Sequence, residues 1–256
     1  MASVTIIPAF TDNFIYLYEY EKNKAFAVDP CDSLLVEQAL NTEQLQLTTI
    51  LATHHHWDHT AGIADLKKKT GCEVIGGDRQ RIKGIDRVVG NGQVIKLGDT
   101  EILVIATPGH TSTSLCYYIA SSNDKTEPIV WTGDTMFING CGRIFECDAV
   151  TMLDSLLNLA SLPPDTLVYC GHDYTMENYE FALTIEPDNE DVKERLREVK
   201  EILRTGGYPV GSTILQERKT NPFLRTDSPE IKAALGMSNA DPDQVFAQMR
   251  RRKDVF

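Results

Sequence analysis

Seven consecutive residues, Thr53-His54-His55-His56-Trp57-Asp58-His59, constrain this chain more than any other stretch. They follow an apolar run, residues 47–52, that is short and rich in Thr, Ile and Leu and so reads as a buried strand. If the backbone stays extended beyond the strand, His54 and His56 project to one side and His55 to the other, because side chains alternate with period two. Two imidazoles at that spacing meet one ion, and Asp58 and His59, on a turning backbone, supply donors for a second. The set holds imidazole and carboxylate but no thiolate, which suits a borderline metal in a hydrolytic site better than a closed structural cysteine site. Taken alone, the motif is equally a histidine-rich surface loop or a capping turn, since short metal-like patterns recur by chance.

The rest of the chain shifts that balance. It holds six histidines, and the two outside the motif, His110 and His172, each lie just past another apolar run, residues 101–106 and 167–170. A further run, 128–131, leads into Thr132-Gly133-Asp134. Singly, His110 and His172 read as hydrogen-bonded histidines at strand ends, and Asp134 as a turn residue or helix cap. Jointly, four apolar runs that each end in His or Asp match ligands from separate strands converging at one rim of a sheet assembly.

Strands are expected at 4–8, 14–20, 25–28 and 73–77, a hairpin at 94–97 and 101–106 around Gly98-Asp99, and strands at 115–120, 128–131 and 167–170. Helices are expected at 34–40, capped by Ser33, at 63–69, ended by Gly71, and at 150–160. From residue 174 the periodicity becomes helical, over 174–185, 190–204, 228–235 and 241–253, with Asp241 as N-cap and Pro242 at the first helical position. This helical appendage ends in Arg250-Arg251-Arg252-Lys253. Favourable charge at a helix C-terminus accounts for part of that run. Arg250 and Lys253 share a face, so they also make an anion clamp possible.

Composition excludes several functions. A net charge of -12 argues against nucleic acid as a partner, which needs a basic footprint. No run reaches the roughly 18 to 20 apolar residues of a membrane span, and the start, Met1-Ala2-Ser3-Val4-Thr5, lacks leader character, so a cytosolic protein is expected. Cys31, Cys72, Cys116, Cys141, Cys147 and Cys170 are scattered without a Cys-x-x-Cys pair and are expected as thiols, most of them buried.

With these residues in view, the chain resembles the metallo-β-lactamase superfamily, through His54-x-His56-x-Asp58-His59, His110, Asp134 and His172. Within it the chain is similar to the glyoxalase II family of hydroxyacylglutathione hydrolases, through Thr132-Gly133-Asp134-Thr135, Cys141-Gly142-Arg143, Gly171-His172-Asp173-Tyr174-Thr175, Asn221-Pro222-Phe223 and Arg250-x-x-Lys253-Asp254. The resemblance implies an α+β fold, an αββα sandwich over residues 1–173 with a C-terminal helical substrate-binding domain over 174–256. It implies two divalent metal ions, zinc first, with iron or manganese accepted by the same donors. His54, His56 and His110 would hold one ion, Asp58, His59 and His172 the other, and Asp134 would bridge them. Asp58 and Asp134 would act with a metal-held hydroxide to hydrolyse S-D-lactoylglutathione to D-lactate and glutathione. Arg143, Tyr174, Arg250 and Lys253 would bind the glutathione carboxylates. Phe145 stands where many relatives have Tyr, keeping the ring without the hydroxyl, and Arg143 replaces a frequent Lys. A monomer without nucleic-acid or membrane partners is expected.

A glutathione persulfide dioxygenase of the same superfamily is the nearest alternative, but it uses one iron and needs no second ligand set. A lactonase or β-lactamase should lack the basic helical tail. A non-catalytic metal-binding protein would be expected to have lost ligands, and a nuclease should be basic.

Overall fold

The opening of the chain alternates large apolar side chains on both faces, and it folds as three antiparallel strands, β1 (Val4–Ala9), β2 (Asn13–Glu21) and β3 (Lys24–Val28). The computed structural model describes residues 4–121 and 127–256; Met1–Ser3, part of the start read above, lie outside the described residues. Helix α1 (Ser33–Glu43) then returns the chain to β4 (Gln46–Ala52), which runs parallel to β3. Its N-cap is Asp32 rather than the expected Ser33, because the longer carboxylate reaches both Leu34 N at 2.8 Å and Leu35 N at 3.2 Å. The one-turn helix α2 (Trp57–Thr60) and α3 (Ile63–Thr70) lead to β5 (Glu73–Gly76) and the short β6 (Arg87–Val88), completing a sheet in the order β1-β2-β3-β4-β5-β6. Gly71 ends α3 in the left-handed region, as its position in the sequence implies.

Strands β7 (Val94–Leu97), β8 (Thr100–Ala106), β9 (Leu115–Ile119) and β10 (Ile129–Gly133) form an antiparallel meander, with the expected turn at Gly98-Asp99. The two sheets face one another through aromatic side chains. Trp131 of β10 lies edge-on to Tyr18 of β2 at 5.6 Å and to Phe26 of β3 at 5.3 Å. On the far face of the first sheet, Ile15, Leu17, Ala27 and Ile50 pack with Val36 and Leu40 of α1 and Ile63 and Leu66 of α3. The central strands are therefore covered on both sides, which is why β2 is apolar almost throughout.

The later chain gives β11 (Met136–Phe137) and β12 (Gly140–Cys141), a tight antiparallel pair, then α4 (Ala149–Ala160), β13 (Leu167–Cys170), α5 (Thr175–Ile185) and α6 (Glu190–Arg204). It continues through β14 (Ser212–Thr213), which pairs with β13, to α7 (Ile214–Thr220), α8 (Pro229–Ala234) and α9 (Pro242–Lys253). Phe223 anchors this part, stacked on Phe181 at 6.0 Å and edge-on to Phe246 at 5.6 Å. Backbone contacts divide the chain into two compact units, one of Met1–Ala106 with Thr113–Gly133, the other of Thr107–Ser112 with Asp134–Phe256. Among the described residues no helix is long and apolar enough to cross a membrane, and all six cysteines remain thiols, five of them buried.

Candidate metal centre

The first unit delivers its donors at the end of β4. Beyond Ala52 the strand ends and the chain bends at Thr53 and His54, reaching an extended His56 (φ -60°, ψ 145°) before α2 begins at Trp57. His54 and His56 nevertheless come together, with His54 Nε2 3.0 Å from His56 Nδ1. His55 points elsewhere, its Nε2 3.4 Å from an Arg81 guanidinium nitrogen. Helix α2 turns Asp58 and His59 back toward the same region: the His59 ring lies 4.2 Å from that of His54, and His59 Nε2 is 3.7 Å from Asp58 Oδ2. The Asn13 amide donates to the Asp58 carbonyl at 2.9 Å and to its carboxylate at 3.3 Å, tying the start of β2 to this helix.

The second unit assembles His110, Asp134 and His172. Asp134 Oδ2 lies 3.3 Å from His110 Nε2 and 3.4 Å from His172 Nε2, and all three residues are buried. His110 Nδ1 donates to the Arg143 carbonyl at 2.8 Å, which leaves Nε2 as the lone-pair nitrogen facing the carboxylate. Tyr174 stacks flat on His172, with ring centres 5.1 Å apart and planes within 6°. Phe145, largely exposed, places its ring 5.2 Å from that of His110.

These spacings bear on whether the residues suit a metal. Ligand bonds of about 2.0–2.2 Å at tetrahedral or octahedral angles put neighbouring donor atoms roughly 2.9–3.5 Å apart. The 3.0, 3.3 and 3.4 Å separations lie in that range, and the donor chemistry is that of a hydrolytic metal. Thiolates do not enter: burial pushes the Cys31 and Cys170 thiols up to about 12, so neither offers sulfur as ligand or nucleophile near neutrality.

Of the four basic residues that end α9, Arg251 and Arg252 are exposed but Arg250 and Lys253 are not. Arg250 is buried, donates to the Cys141 carbonyl at 2.7 Å and pairs with Asp254 at 3.2 Å. Lys253 is buried against Glu177, and burial pushes its ammonium below the usual lysine range against that carboxylate's opposing pull. Arg143 is largely exposed, 3.9 Å from Asp254.

Asp29 escapes the sequence reading, and Thr53 stands there only as the first residue of the motif, with no role of its own. Asp29 and Thr53 are buried behind the histidines, and Asp29, His54 and His59 offer donor atoms within 4.8 Å of one another. The Asp29-Pro30 pair reads only as a strand stop, and a left-handed φ of 49° at Asp29 has no signature in a single sequence.

Comparison with known proteins accords with this arrangement. A family model described as "Metallo-beta-lactamase superfamily" matches residues 11–172, and one described as "Hydroxyacylglutathione hydrolase C-terminus" matches residues 173–256. The hydroxyacylglutathione hydrolase of Rhodospirillum rubrum is 46% identical over 254 residues, covering 98% of this chain and 97% of that protein. Among solved structures, ETHE1 from Myxococcus xanthus superposes with a TM-score of 0.65 at 23% identity, covering 100% of this chain and 99% of that one. TTHA1623, solved in a di-iron-bound form, gives 0.59 at 22% identity, covering 87% and 100%. At such identities the structural likeness speaks for the fold alone.

Proposed function

This chain belongs to the metallo-β-lactamase superfamily and, within it, to the hydroxyacylglutathione hydrolases, and from that premise we propose that it hydrolyses 2-hydroxyacylglutathione thioesters. S-D-lactoylglutathione is the proposed substrate, and D-lactate and glutathione the products. The observation that carries the substrate is the match over residues 173–256, a segment that a lactonase or β-lactamase built on the same ligands has no need of.

Two divalent ions, zinc first, are assigned to His54, His56 and His110 and to Asp58, His59 and His172, with Asp134 shared. When bound, such a pair lowers the pKa of a shared water and polarises the thioester carbonyl. The chain's own residues orient these partners. The Arg143 carbonyl fixes the His110 ring and Asn13 steadies Asp58. Arg143, Tyr174, Arg250 and Lys253 are assigned to the carboxylates of glutathione, which holds the thioester sulfur in register. The leaving thiolate is stable near pH 8 to 9, so no strong protein acid is required. The two family models meet between residues 172 and 173, within one residue of the proposed division into a catalytic domain over 1–173 and a substrate-binding domain over 174–256. A cytosolic monomer is the proposed working form.

The test is hydrolysis of S-D-lactoylglutathione by purified protein, followed by loss of thioester absorbance, with metal counted on the same sample. Chelator-sensitive turnover with two ions per chain, both lost in Asp134→Ala, is expected. One iron per chain with consumption of oxygen and glutathione persulfide would overturn the reading.

A further inference from the structure

Asp29 and Thr53 are not among the seven assigned metal donors, yet their side chains reach two of them, His54 and His59. The Asp29 carboxylate accepts from Thr53 N at 2.7 Å, from Thr53 Oγ1 at 2.6 Å and from His59 Nδ1 at 2.9 Å. Thr53 Oγ1 lies in turn 3.0 Å from His54 Nδ1. A hydroxyl has one proton, and here it goes to the nearer, charged acceptor. Toward His54 the oxygen can therefore only accept. Both His54 and His59 must then carry their ring hydrogen on Nδ1, and both present Nε2 as a lone pair.

The surroundings hold this relay in place. Asp29 N donates to the Leu51 carbonyl at 3.1 Å, which pins the left-handed turn at the end of β3. Gly133, at φ 48°, backs onto Thr53 so closely that a Cβ there would sit 2.4 Å from Oγ1. The hydroxyl thus has a wall behind it and a carboxylate ahead.

We propose that Asp29, directly and through the Thr53 hydroxyl, is a positioning residue that fixes the tautomer and ring orientation of one histidine for each of the two metal ions. One carboxylate then conditions both sites. This rests on the assignment above of His54 and His59 to different ions.

The experiment uses the whole chain with Thr53→Val, Thr53→Ser and Asp29→Asn. Histidine tautomers are read by 15N NMR of the metal-free protein, and zinc retention by chelator competition on the loaded protein. Wild type and Thr53→Ser should show Nδ1–H at both His54 and His59. Thr53→Val should release the His54 tautomer and weaken one ion by about 10- to 100-fold, the usual effect of removing an outer-shell partner, while the other ion is retained. Asp29→Asn should weaken both. Thr53→Val replaces only the hydroxyl, with a methyl group, so it decides the matter even if Asp29→Asn fails to fold. Unchanged tautomers and unchanged retention of both ions in Thr53→Val would overturn the proposal, as would equal loss of both. If the wild-type chain bound no zinc, the metal assignment would fall, whereas the tautomers, read without metal, would still decide the relay.

Discussion

Gly142 approaches Asp134 so closely that a Cβ built on it would lie 1.9 Å from the Asp134 carbonyl oxygen and 3.2 Å from His110 Nδ1. The β11–β12 pair folds the chain straight back on itself, Gly142 N donating to the Thr135 carbonyl at 3.2 Å, and the next residue supplies the carbonyl that holds His110. Gly142→Ala must push these strands apart and with them the His110 and Asp134 side chains. A loss of about 1–3 kcal/mol of stability is expected from the overpacking, together with at least a tenfold fall in kcat/KM. Denaturant unfolding and thioester hydrolysis check both, and wild-type values would mean that the hairpin relaxes without disturbing the ligands.

Arg250→Ala should do more than raise KM. The guanidinium is buried over the Phe223 ring at 5.2 Å and satisfies the Cys141 carbonyl. Its removal leaves that acceptor unpaired and a gap beside the aromatic cluster, for a loss of about 2–3 kcal/mol. Thermal unfolding measured beside substrate kinetics separates the two effects. A raised KM with an unchanged midpoint would mean that Arg250 acts on substrate alone.

Phe145→Tyr tests the departure from the family pattern. With the ring 62% exposed, a para hydroxyl can stay in water and should leave the unfolding midpoint unchanged. If the ring lies beside bound glutathione, one added hydrogen bond of about 1 kcal/mol should lower KM roughly fivefold with kcat within about twofold. An unchanged KM would place the glutathione away from this ring.

The sequence made the donors legible because each stands at the end of an apolar run, and a strand end is a local feature. It left the support behind them hidden. Asp29 meets His59 and Thr53 only through the pairing of β3 with β4, and an Asp-Pro step looks alike whether it merely stops a strand or orients two histidines. The pair β11–β12, the strand β14 and helix α7 were missed for a related reason. Each is short, and each is stabilised by distant partners, as when buried Glu217 of α7 accepts from Asn139 N between β11 and β12. The basic face of α9 was visible as a periodicity, but the acids that neutralise it, Glu177 and Asp254, lie on α5 and just past the helix end.

Glu217 also gives a pH dependence whose sign can be worked out. Its buried carboxylate accepts from Ser212 Oγ at 2.7 Å, Asn139 N at 2.8 Å and Asn221 Nδ2 at 3.1 Å, yet burial outweighs these donors and holds the carboxyl above its ordinary value. The folded chain therefore binds this proton more tightly than the unfolded chain. The associated stability is fully present below the ordinary glutamate value and is lost as pH rises through the elevated folded value. Glu217→Gln removes that titration and can keep the bonds, with Oε1 accepting from Asn139 and Asn221 while Nε2 donates to Ser212. Relative to Glu217→Gln, the wild-type chain should accordingly gain stability as pH is lowered from about 7 toward 5. Urea midpoints of the two metal-free proteins across that interval measure the difference, and the histidines, common to both, cancel. A constant difference, or one that favours Glu217→Gln more strongly at the acid end, would show that the three hydrogen bonds rather than burial govern this carboxyl.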